Sequence, residues 1–316
     1  MIALEKIREA ADEISDVIHR TPVLTSSRLS EQTGNEVYLK GEHLQKTGSF
    51  KIRGASNKVL KAVREGASHV VAASSGNHGQ AVAYIAGQAG VQATIVVPVD
   101  ASPAKVAAIE AYGGQVVRCG LTSAERIPEA LRIAEETGGV FVPPYDDPDI
   151  IAGQGTAGME ILEQVADCEA VIVPVGGGGL TAGILCAIKQ MRPEILVIGA
   201  EPETADDTKQ SLEAGERIAI GPTQTIADGL RTSIPGELTF PILRSHLDRL
   251  VTVSEGEIKE ACKLLFQYTK QVVEPSGAVS AAALLSGRTG IRGKRVVAVL
   301  SGGNVSADAF AEMLRT

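Results

Sequence analysis

The sequence contains no tryptophan, only 3% aromatic residues and four cysteines among 316 residues. The cysteines are Cys119, Cys168, Cys186 and Cys262, which lie far apart and form no C-x-x-C pair. No histidine stands at a metal-ligand spacing from them, which argues against a metal or redox role. We interpret them as buried thiols, because free cysteine packs as a small hydrophobic residue.

The chain also lacks runs of Lys or Arg and long apolar stretches. Its 30 basic and 38 acidic residues give a net charge of -8, which would repel a nucleic-acid backbone. No apolar stretch reaches the roughly 18 residues of a membrane-spanning helix. Residues 1–14 mix acids into an amphipathic pattern unlike a signal peptide. We therefore expect a cytoplasmic protein that binds neither nucleic acid nor a membrane.

Short β-branched runs alternate with Ala-rich stretches of helical period through most of the chain. This βαβ order predicts an α/β fold with mainly parallel sheets covered by helices. The length favours two domains or one large α/β unit. The predicted strands are 36–40, 69–73, 93–97, 115–119, 170–174, 195–200 and 295–300.

Two segments interrupt this alternation. Residues 142–148 contain three prolines and two adjacent acids, and residues 215–241 are rich in loop-forming residues. We predict a small domain of residues 65–144 inserted into a large domain of residues 1–64 and 145–316. Ligands of open α/β sheets bind at the carboxyl ends of strands, so a cleft between the domains is the expected site.

The strongest local motif is a run of four glycines, Gly176, Gly177, Gly178 and Gly179, followed by Leu180. It joins an apolar strand to a helical segment, so uncovered N–H groups and the helix dipole would favour a phosphate. A close-packed turn is the structural alternative. The run also fits a dinucleotide fingerprint, with Glu201 as the ribose-binding acid, and by itself does not separate the two cofactor types.

Lys51 follows a Gly-Ser turn and heads an apolar helical stretch. Apolar surroundings disfavour the ammonium form and so raise nucleophilicity near neutral pH. Taken alone, an exposed lysine at a helix start is the commoner arrangement. The interpretation therefore depends on the other motifs.

Two further turns follow predicted strands. In 74–80, Ser-Ser-Gly-Asn-His-Gly-Gln, successive N–H groups suit a carboxylate at a helix N-terminus. In 301–304, Ser-Gly-Gly-Asn follows the last apolar strand. Ordinary capped turns are the alternative for both, with Asn304 as an N-cap in the second.

Together these residues resemble the fold-type II (β-family) pyridoxal-phosphate (PLP) enzymes, in the threonine dehydratase and serine racemase branch. The resemblance runs in order along nearly the whole chain, and jointly its motifs are highly specific. It implies two open, twisted, mainly parallel sheets with flanking helices. The matching stretches are 49–55, 74–80, 144–148, 153–156, 176–179, 225–229, 274–277 and 301–304.

The resemblance implies roles for individual residues. Lys51 would carry PLP as a Schiff base and then act as the base on the substrate α-carbon. Phe50 would pack against the cofactor ring, and Asn77 would hydrogen-bond its phenolic oxygen. Ser301 would face the pyridine nitrogen and, being neutral, would leave it largely unprotonated. The phosphate would be held by Gly176, Gly177, Gly178, Gly179 and the N–H of Leu180.

The resemblance also places the substrate and a cation. The substrate carboxylate would be bound by Ser74, Ser75, Asn77 and His78. Ser75 stands where serine racemases carry a second proton-exchanging residue. Glu201, the carbonyl of Ala205 and Asp207 match the spacing of a Mg²⁺ or Ca²⁺ site, with an acidic surface loop at a helix start as the alternative.

The function implied is dehydration of L-threonine or L-serine to a 2-oxo acid and ammonia, with amino-acid racemisation or 3-hydroxyaspartate dehydration as alternatives. A cofactor-binding protein without turnover, or an NAD-dependent oxidoreductase, is the alternative from another class. Relatives are commonly homodimers or homotetramers. Only 12 residues follow Asn304, so we expect no C-terminal regulatory domain.

Overall fold

The computed structural model describes residues 1–74, 76–101 and 103–315. Within these residues the chain forms ten strands: β1 (Val23–Thr25), β2 (Glu36–Lys40), β3 (His69–Ala73), β4 (Gln92–Val97), β5 (Gln115–Arg118), β6 (Val140–Phe141), β7 (Ala170–Pro174), β8 (Leu196–Pro202), β9 (Arg249–Val253) and β10 (Arg295–Val299).

Most of the helices lie between successive strands. Within the same residues they are α1 (Leu4–Ile14), α2 (Ser27–Thr33), α3 (Lys51–Arg64), α4 (Asn77–Ala89), α5 (Pro103–Ala111), α6 (Ser123–Thr137), α7 (Pro148–Gln164), α8 (Gly179–Met191), α9 (Asp207–Ala214), α10 (Thr239–His246), α11 (Glu255–Thr269), α12 (Pro275–Leu285) and α13 (Ala307–Arg315). Two short 3-10 turns, Glu42–Leu44 and Asp228–Leu230, complete the description.

The larger sheet has six strands in the order β1-β2-β10-β7-β8-β9. Only β1 is antiparallel to its neighbour, and the other pairs are parallel. All five residues of β7 are buried, which fits a parallel strand covered by helices on both faces. The last strand of the chain, β10, lies in the middle of this sheet between β2 and β7.

The smaller sheet has four parallel strands in the order β5-β4-β3-β6. Its strands all come from residues 69–141, whereas the larger sheet takes strands from both sides of that segment. The α/β class and the mainly parallel sheets are thus confirmed. The domain boundaries at 64/65 and 144/145 stay a prediction.

Of the seven predicted strands, 36–40, 69–73 and 170–174 have the observed bounds. Three others differ by one residue at one end, and 195–200 differs from β8 by one residue at its start and two at its end. The segment 142–148 does join two elements. Asp147 caps α7 there, because its Oδ1 accepts the N–H groups of Asp149 and Ile150 and Pro148 takes the first helical position. The second loop-rich segment ends where α10 begins at Thr239.

A cluster of buried charges joins α3 to β2 and α7. Arg53 is fully buried, and its Nε and Nη2 donate to the two carboxylate oxygens of Glu42 at 2.7 and 2.8 Å. Its Nη1 and Nη2 also donate to Glu160 at 2.7 and 2.9 Å. The fully buried Lys40 donates to Glu160 at 2.5 Å. Burial alone would raise the pKa of Glu42, but the Arg53 charge and its hydrogen bonds lower it below its usual value.

The four cysteines are unpaired, and three of them are buried. Burial raises the pKa of Cys168 to about 11 and that of Cys262 to about 12, so both remain protonated thiols at neutral pH. Cys119 is only half-buried, so the prediction of burial is wrong there, because this residue directly follows β5, which is an edge strand. Among the residues described, no helix combines the length and apolarity that crossing a membrane requires.

Candidate active site

Lys51 is the first residue of α3, and its side chain is partly buried. Its Nζ donates to the carbonyl oxygen of Pro144 at 2.6 Å and lies 5.2 Å from the centre of the Phe50 ring. Burial lowers the pKa of this amine to about 8. A substantial fraction of Lys51 is therefore neutral near physiological pH, which is what attack on an aldehyde requires.

The turn after β10 lies directly beside the segment that precedes Lys51. The N–H of Phe50 donates to the carbonyl oxygen of Ser301 at 3.1 Å, and Ser49 pairs with Gly302 as an isolated antiparallel bridge. Ser301 is nearly fully buried, and its Oγ donates to the carbonyl oxygen of Ser276 at 3.4 Å. The structure thus brings Phe50, Lys51 and Ser301 together.

Asn77 connects the same turn to a buried glutamate. Its Nδ2 donates to Oε1 of Glu274 at 2.7 Å, and its Oδ1 accepts from Nδ2 of Asn304 at 2.7 Å. Asn304 is therefore not an N-cap, and α13 begins only at Ala307. Burial raises the pKa of Glu274 to about 8, and the Asp228 carboxylate adds to the rise. Glu274 was missed as a site residue, although its stretch 274–277 belongs to the resemblance.

The four glycines connect β7 to α8, as predicted from the sequence. Gly178 has φ +89°, a conformation that favours glycine, and Gly179 begins α8. A Cβ on Gly177 would lie 2.4 Å from the Tyr145 ring, and one on Gly179 would lie 2.8 Å from Tyr145 Cβ. Side chains are therefore excluded on this face, and the loop is held against Tyr145. Leu180 is the second residue of α8, whose N-terminal N–H groups have no partner within the helix.

The turn at 74–80 leads into α4, which begins at Asn77. Gly76 occupies the N-cap position without a capping side chain, and its N–H donates to Ser74 Oγ at 3.2 Å. His78 is buried, with Nε2 2.9 Å from the carbonyl oxygen of Val142. Burial and then the nearby Lys51 charge lower the pKa of His78 to about 3, so its side chain is uncharged. Ser75 lies outside the described residues.

The three predicted cation ligands lie at the end of β8 and the start of α9. Glu201 and Asp207 are fully buried, and burial raises the pKa of both, that of Asp207 to about 6. Glu201 accepts the N–H groups of Thr208 and Lys209 at 3.3 and 3.0 Å. Asp207 Oδ1 accepts from Thr232 Oγ1 at 3.0 Å, whereas no hydrogen-bond partner is found for its buried Oδ2 among the described residues.

This arrangement bears on two alternatives. The acidic surface loop is wrong, because both carboxylates are inside the protein. A ribose-binding role for Glu201 does not fit either, since both of its oxygens face the N-terminus of α9. In the part of the chain that is described, no group of three or more His, Cys, Asp or Glu side chains could hold a metal ion. The predicted set has only two carboxylates, with the Ala205 carbonyl as third ligand.

A cavity of about 670 Å³ adjoins the site. It lies between α4 and α5 on one side and α11, α13 and the turn after β10 on the other, and Lys51 does not line it. Glu274 and Asn304 line this cavity, and Asn77 joins them by one hydrogen bond to each. Other lining residues include Gln80, Lys105 and Asp228.

A desolvated lysine amine at a helix start, connected through Pro144 and Tyr145 to a glycine-rich strand-to-helix loop in a fold of two mainly parallel sheets, is typical of fold-type II PLP enzymes. The family model of the pyridoxal-phosphate dependent enzymes matches residues 14–302. The chain belongs to this family of enzymes.

Individual relatives match over nearly the whole chain. An L-threonine ammonia-lyase of Thermotoga maritima is 47% identical over 99% of this chain and 78% of its own length. A serine racemase of Arabidopsis thaliana is 46% identical over 98% of this chain and 95% of its own. The solved structure of maize serine racemase has a TM-score of 0.95 at 38% identity and covers 100% of this chain and 98% of its own.

Proposed function

We propose that this enzyme uses PLP to dehydrate L-threonine or L-serine to a 2-oxo acid and ammonia. The observation that carries the proposal is the Lys51 amine, which is partly buried, has a pKa lowered to about 8 and lies 2.6 Å from the Pro144 carbonyl. The similarity to an L-threonine ammonia-lyase supports the choice of reaction. When bound, PLP supplies an electron sink for the charge that develops at the substrate α-carbon.

Each residue of the site would then have its own role. Lys51 Nζ would carry the cofactor and take the proton from the α-carbon. Asn77 and Ser301 would face the phenolic oxygen and the pyridine nitrogen, and Phe50 would pack against the ring. The N–H groups of 176–180 would hold the phosphate, because glycines leave the backbone uncovered and α8 contributes its dipole.

The N-terminus of α4 would bind the substrate carboxylate. Since the His78 ring is uncharged and faces the Val142 carbonyl, its contribution would come from its backbone N–H. Ser74 and Asn77 are the other described residues assigned to the substrate carboxylate. Ser75 is assigned to the carboxylate as well. Such fixed donors would orient the substrate α-carbon for proton removal by Lys51.

A second activity, racemisation, is favoured by the 46% identity to a serine racemase. We propose Ser75 as the proton donor on the cofactor face opposite Lys51. An assay of the purified enzyme against L-threonine, L-serine and L-threo-3-hydroxyaspartate, reading both 2-oxo acid and chirality, separates the activities. 2-Oxo acid should form from threonine or serine, and none from either would refute the dehydratase.

Replacing Ser75 by alanine should reduce D-serine formation by roughly a hundredfold or more, because general acid catalysis on that face is lost. Exchange of the α-proton of L-serine with solvent deuterium should persist, since Lys51 would still remove it. Chiral chromatography and mass spectrometry measure the two quantities. Undiminished racemisation in Ser75→Ala would show that the two-base assignment is wrong.

We further propose that Glu201, the Ala205 carbonyl and Asp207 bind Mg²⁺ or Ca²⁺. Two carboxylates buried close together favour a cation, and all-oxygen ligation suits a hard ion. The buried Asp207 Oδ2, which lacks a hydrogen-bond partner among the described residues, supports this further. The ion would stabilise this region rather than take part in the reaction at Lys51.

Added Mg²⁺ should raise the stability of the folded protein by about 2.7 kcal/mol at one hundred times its Kd, because only the folded state offers the site. Thermal unfolding with and without Mg²⁺ or Ca²⁺ measures this. Asp207→Asn should abolish the shift, whereas Asp206→Asn, which changes a neighbouring carboxylate that accepts from Gln210 Nε2, should retain it. No shift with either ion in the unchanged protein would contradict the proposal.

We also propose that the enzyme works in the cytoplasm as a homodimer or homotetramer. Four unpaired cysteines are the usual state in a reducing compartment, which supports the location. Light scattering of the purified protein would test the assembly, and a monomer at micromolar concentration would contradict it.

A further inference from the structure

The tetraglycine loop is held from outside by Thr239, the first residue of α10. This side chain is fully buried, and its Oγ1 donates to the carbonyl oxygen of Gly177 at 2.7 Å. The contact is close, because a Cβ on Gly178 would lie 2.8 Å from the same hydroxyl. The loop therefore touches a side chain that is far away in sequence.

Asp146 fixes the position of Thr239. Its carboxylate accepts the N–H groups of Glu237, Leu238 and Thr239 at 2.8, 2.8 and 3.2 Å. These groups lie at the start of α10, where a carboxylate also interacts favourably with the helix dipole. Asp146 thus holds the residue that holds the loop.

The segment around Asp146 also reaches the lysine. Pro144 accepts the hydrogen bond from Lys51 Nζ, and Tyr145 packs against Gly177 and Gly179. Three consecutive residues therefore contact the amine, the glycine loop and the start of α10. We call Asp146, Thr239 and their hydrogen bonds to one another and to Gly177 the loop bracket.

Because a peptide group is planar, the contact with the Gly177 oxygen also fixes the direction of the Gly178 N–H. The peptide between Gly177 and Gly178 is planar and trans, so its N–H points opposite to its C=O. When Thr239 Oγ1 holds the Gly177 oxygen, it also fixes where the Gly178 N–H points. Four successive glycines have great backbone freedom, and without such a hold their N–H groups would not converge.

We propose that Asp146 and Thr239 are positioning residues that orient the Gly178 N–H toward the cofactor phosphate. This inference rests on the proposed role of residues 176–180 as the phosphate site. Neither residue needs to touch the cofactor. Their effect is to preorganise the loop, which lowers the cost of ordering it on binding.

Thr239→Val tests the bracket, because valine keeps the shape and removes the hydroxyl. Full-length protein freed of cofactor is titrated with PLP and, separately, with pyridoxal, which has the aldehyde but no phosphate. The Kd for PLP should rise about tenfold on loss of one buried hydrogen bond, and the Kd for pyridoxal should change less than about twofold. Thr239→Ser, which restores the hydroxyl, should regain most of the PLP affinity.

Thr33→Val is the matched control. It removes a buried hydroxyl that also donates to a backbone carbonyl, that of Leu29 at 2.9 Å, but lies on α2 away from the loop. It should leave both Kd values unchanged. Asp146→Ala should also weaken PLP binding, and the double variant with Thr239→Val should lose less than the product of the single effects, because both act through one contact.

An unchanged PLP Kd in Thr239→Val, equal losses for PLP and pyridoxal, or independent effects of the two substitutions would each refute the bracket. If the unchanged protein binds pyridoxal as tightly as PLP, the phosphate site itself is wrong. Failure of the phosphate site can be told apart from failure of the loop bracket, because the first is seen in the unchanged protein and the second only in the variants.

Discussion

Lys51→Ala should abolish the yellow colour of the bound cofactor and lower turnover by roughly a thousandfold or more. The substitution removes the amine that lies beside both the Pro144 carbonyl and the Phe50 ring. It thereby removes the covalent anchor and the proposed base together. Absorbance spectra and 2-oxo acid release measure the two losses.

Lys61→Ala is the control, since it removes an amine from the same helix. Lys61 is partly exposed and paired with Asp149, far along α3 from the site. This variant should keep its colour and activity. Borohydride reduction of the unchanged enzyme followed by peptide mapping should label Lys51. Activity in Lys51→Ala, or a label on another lysine while cofactor is bound, would refute the assignment.

The pH dependence of cofactor loading gives the same assignment a test without substitution. With a pKa of about 8, the Lys51 amine loses its proton as pH rises through 8, and only the neutral form attacks an aldehyde. The loading rate should therefore rise about tenfold per pH unit below 8 and level off above. A rate that rises only near pH 10 would mean that burial does not affect this amine.

Arg53→Met should destabilise the protein by about 3–5 kcal/mol. The substitution keeps much of the volume but removes the ion-pair partner of the buried Glu42 carboxylate. Among the described residues, this leaves the Thr21 hydroxyl, at 2.6 Å, as the hydrogen-bond donor to Glu42, and it takes from Glu160 the cation that Arg53 supplies beside Lys40. An unpaired buried charge is costly because water no longer solvates it. Urea unfolding monitored by circular dichroism measures the loss.

Arg132→Met is the comparison, since Arg132 also pairs with two glutamates, Glu129 and Glu136. Those pairs are exposed on α6, where solvent screens them, so the free energy of unfolding should hardly change. An equal decrease in the free energy of unfolding in the two variants would show that burial does not determine how much the Arg53 cluster stabilises the protein.

Seven of the ten strands observed in the described residues could be predicted from apolar runs, but three could not. β1 and β6 contain three and two residues, too few for a period to show. β9, Arg-Leu-Val-Thr-Val, follows a helix directly and lies at the edge of the larger sheet, with a charged residue at its start. Edge strands bury less surface, so their sequences carry a weaker apolar signal.

The glycine loop and the turns at 74–80 and 301–304 were found where β7, β3 and β10 end, because chain order and strand direction place such turns at the carboxyl edge of a sheet, and Lys51 was found at the start of α3. The side chains that contact these motifs from other parts of the chain could not be predicted. Thr239, Asp146 and Glu274 are ordinary polar residues in sequence, and only the fold shows which backbone groups they meet. The Arg53 cluster was missed because charged residues are normally assigned to the surface.

The central place of β10 in the larger sheet has a consequence for synthesis on the ribosome. The four strands of the smaller sheet are complete once residue 141 has emerged, whereas β2 and β7 acquire the neighbour between them only when residues 295–299 arrive. Until then β2 has only β1, a two-stranded ribbon that is marginal alone. The nascent chain therefore cannot close its larger sheet until residues 295–299 have been translated.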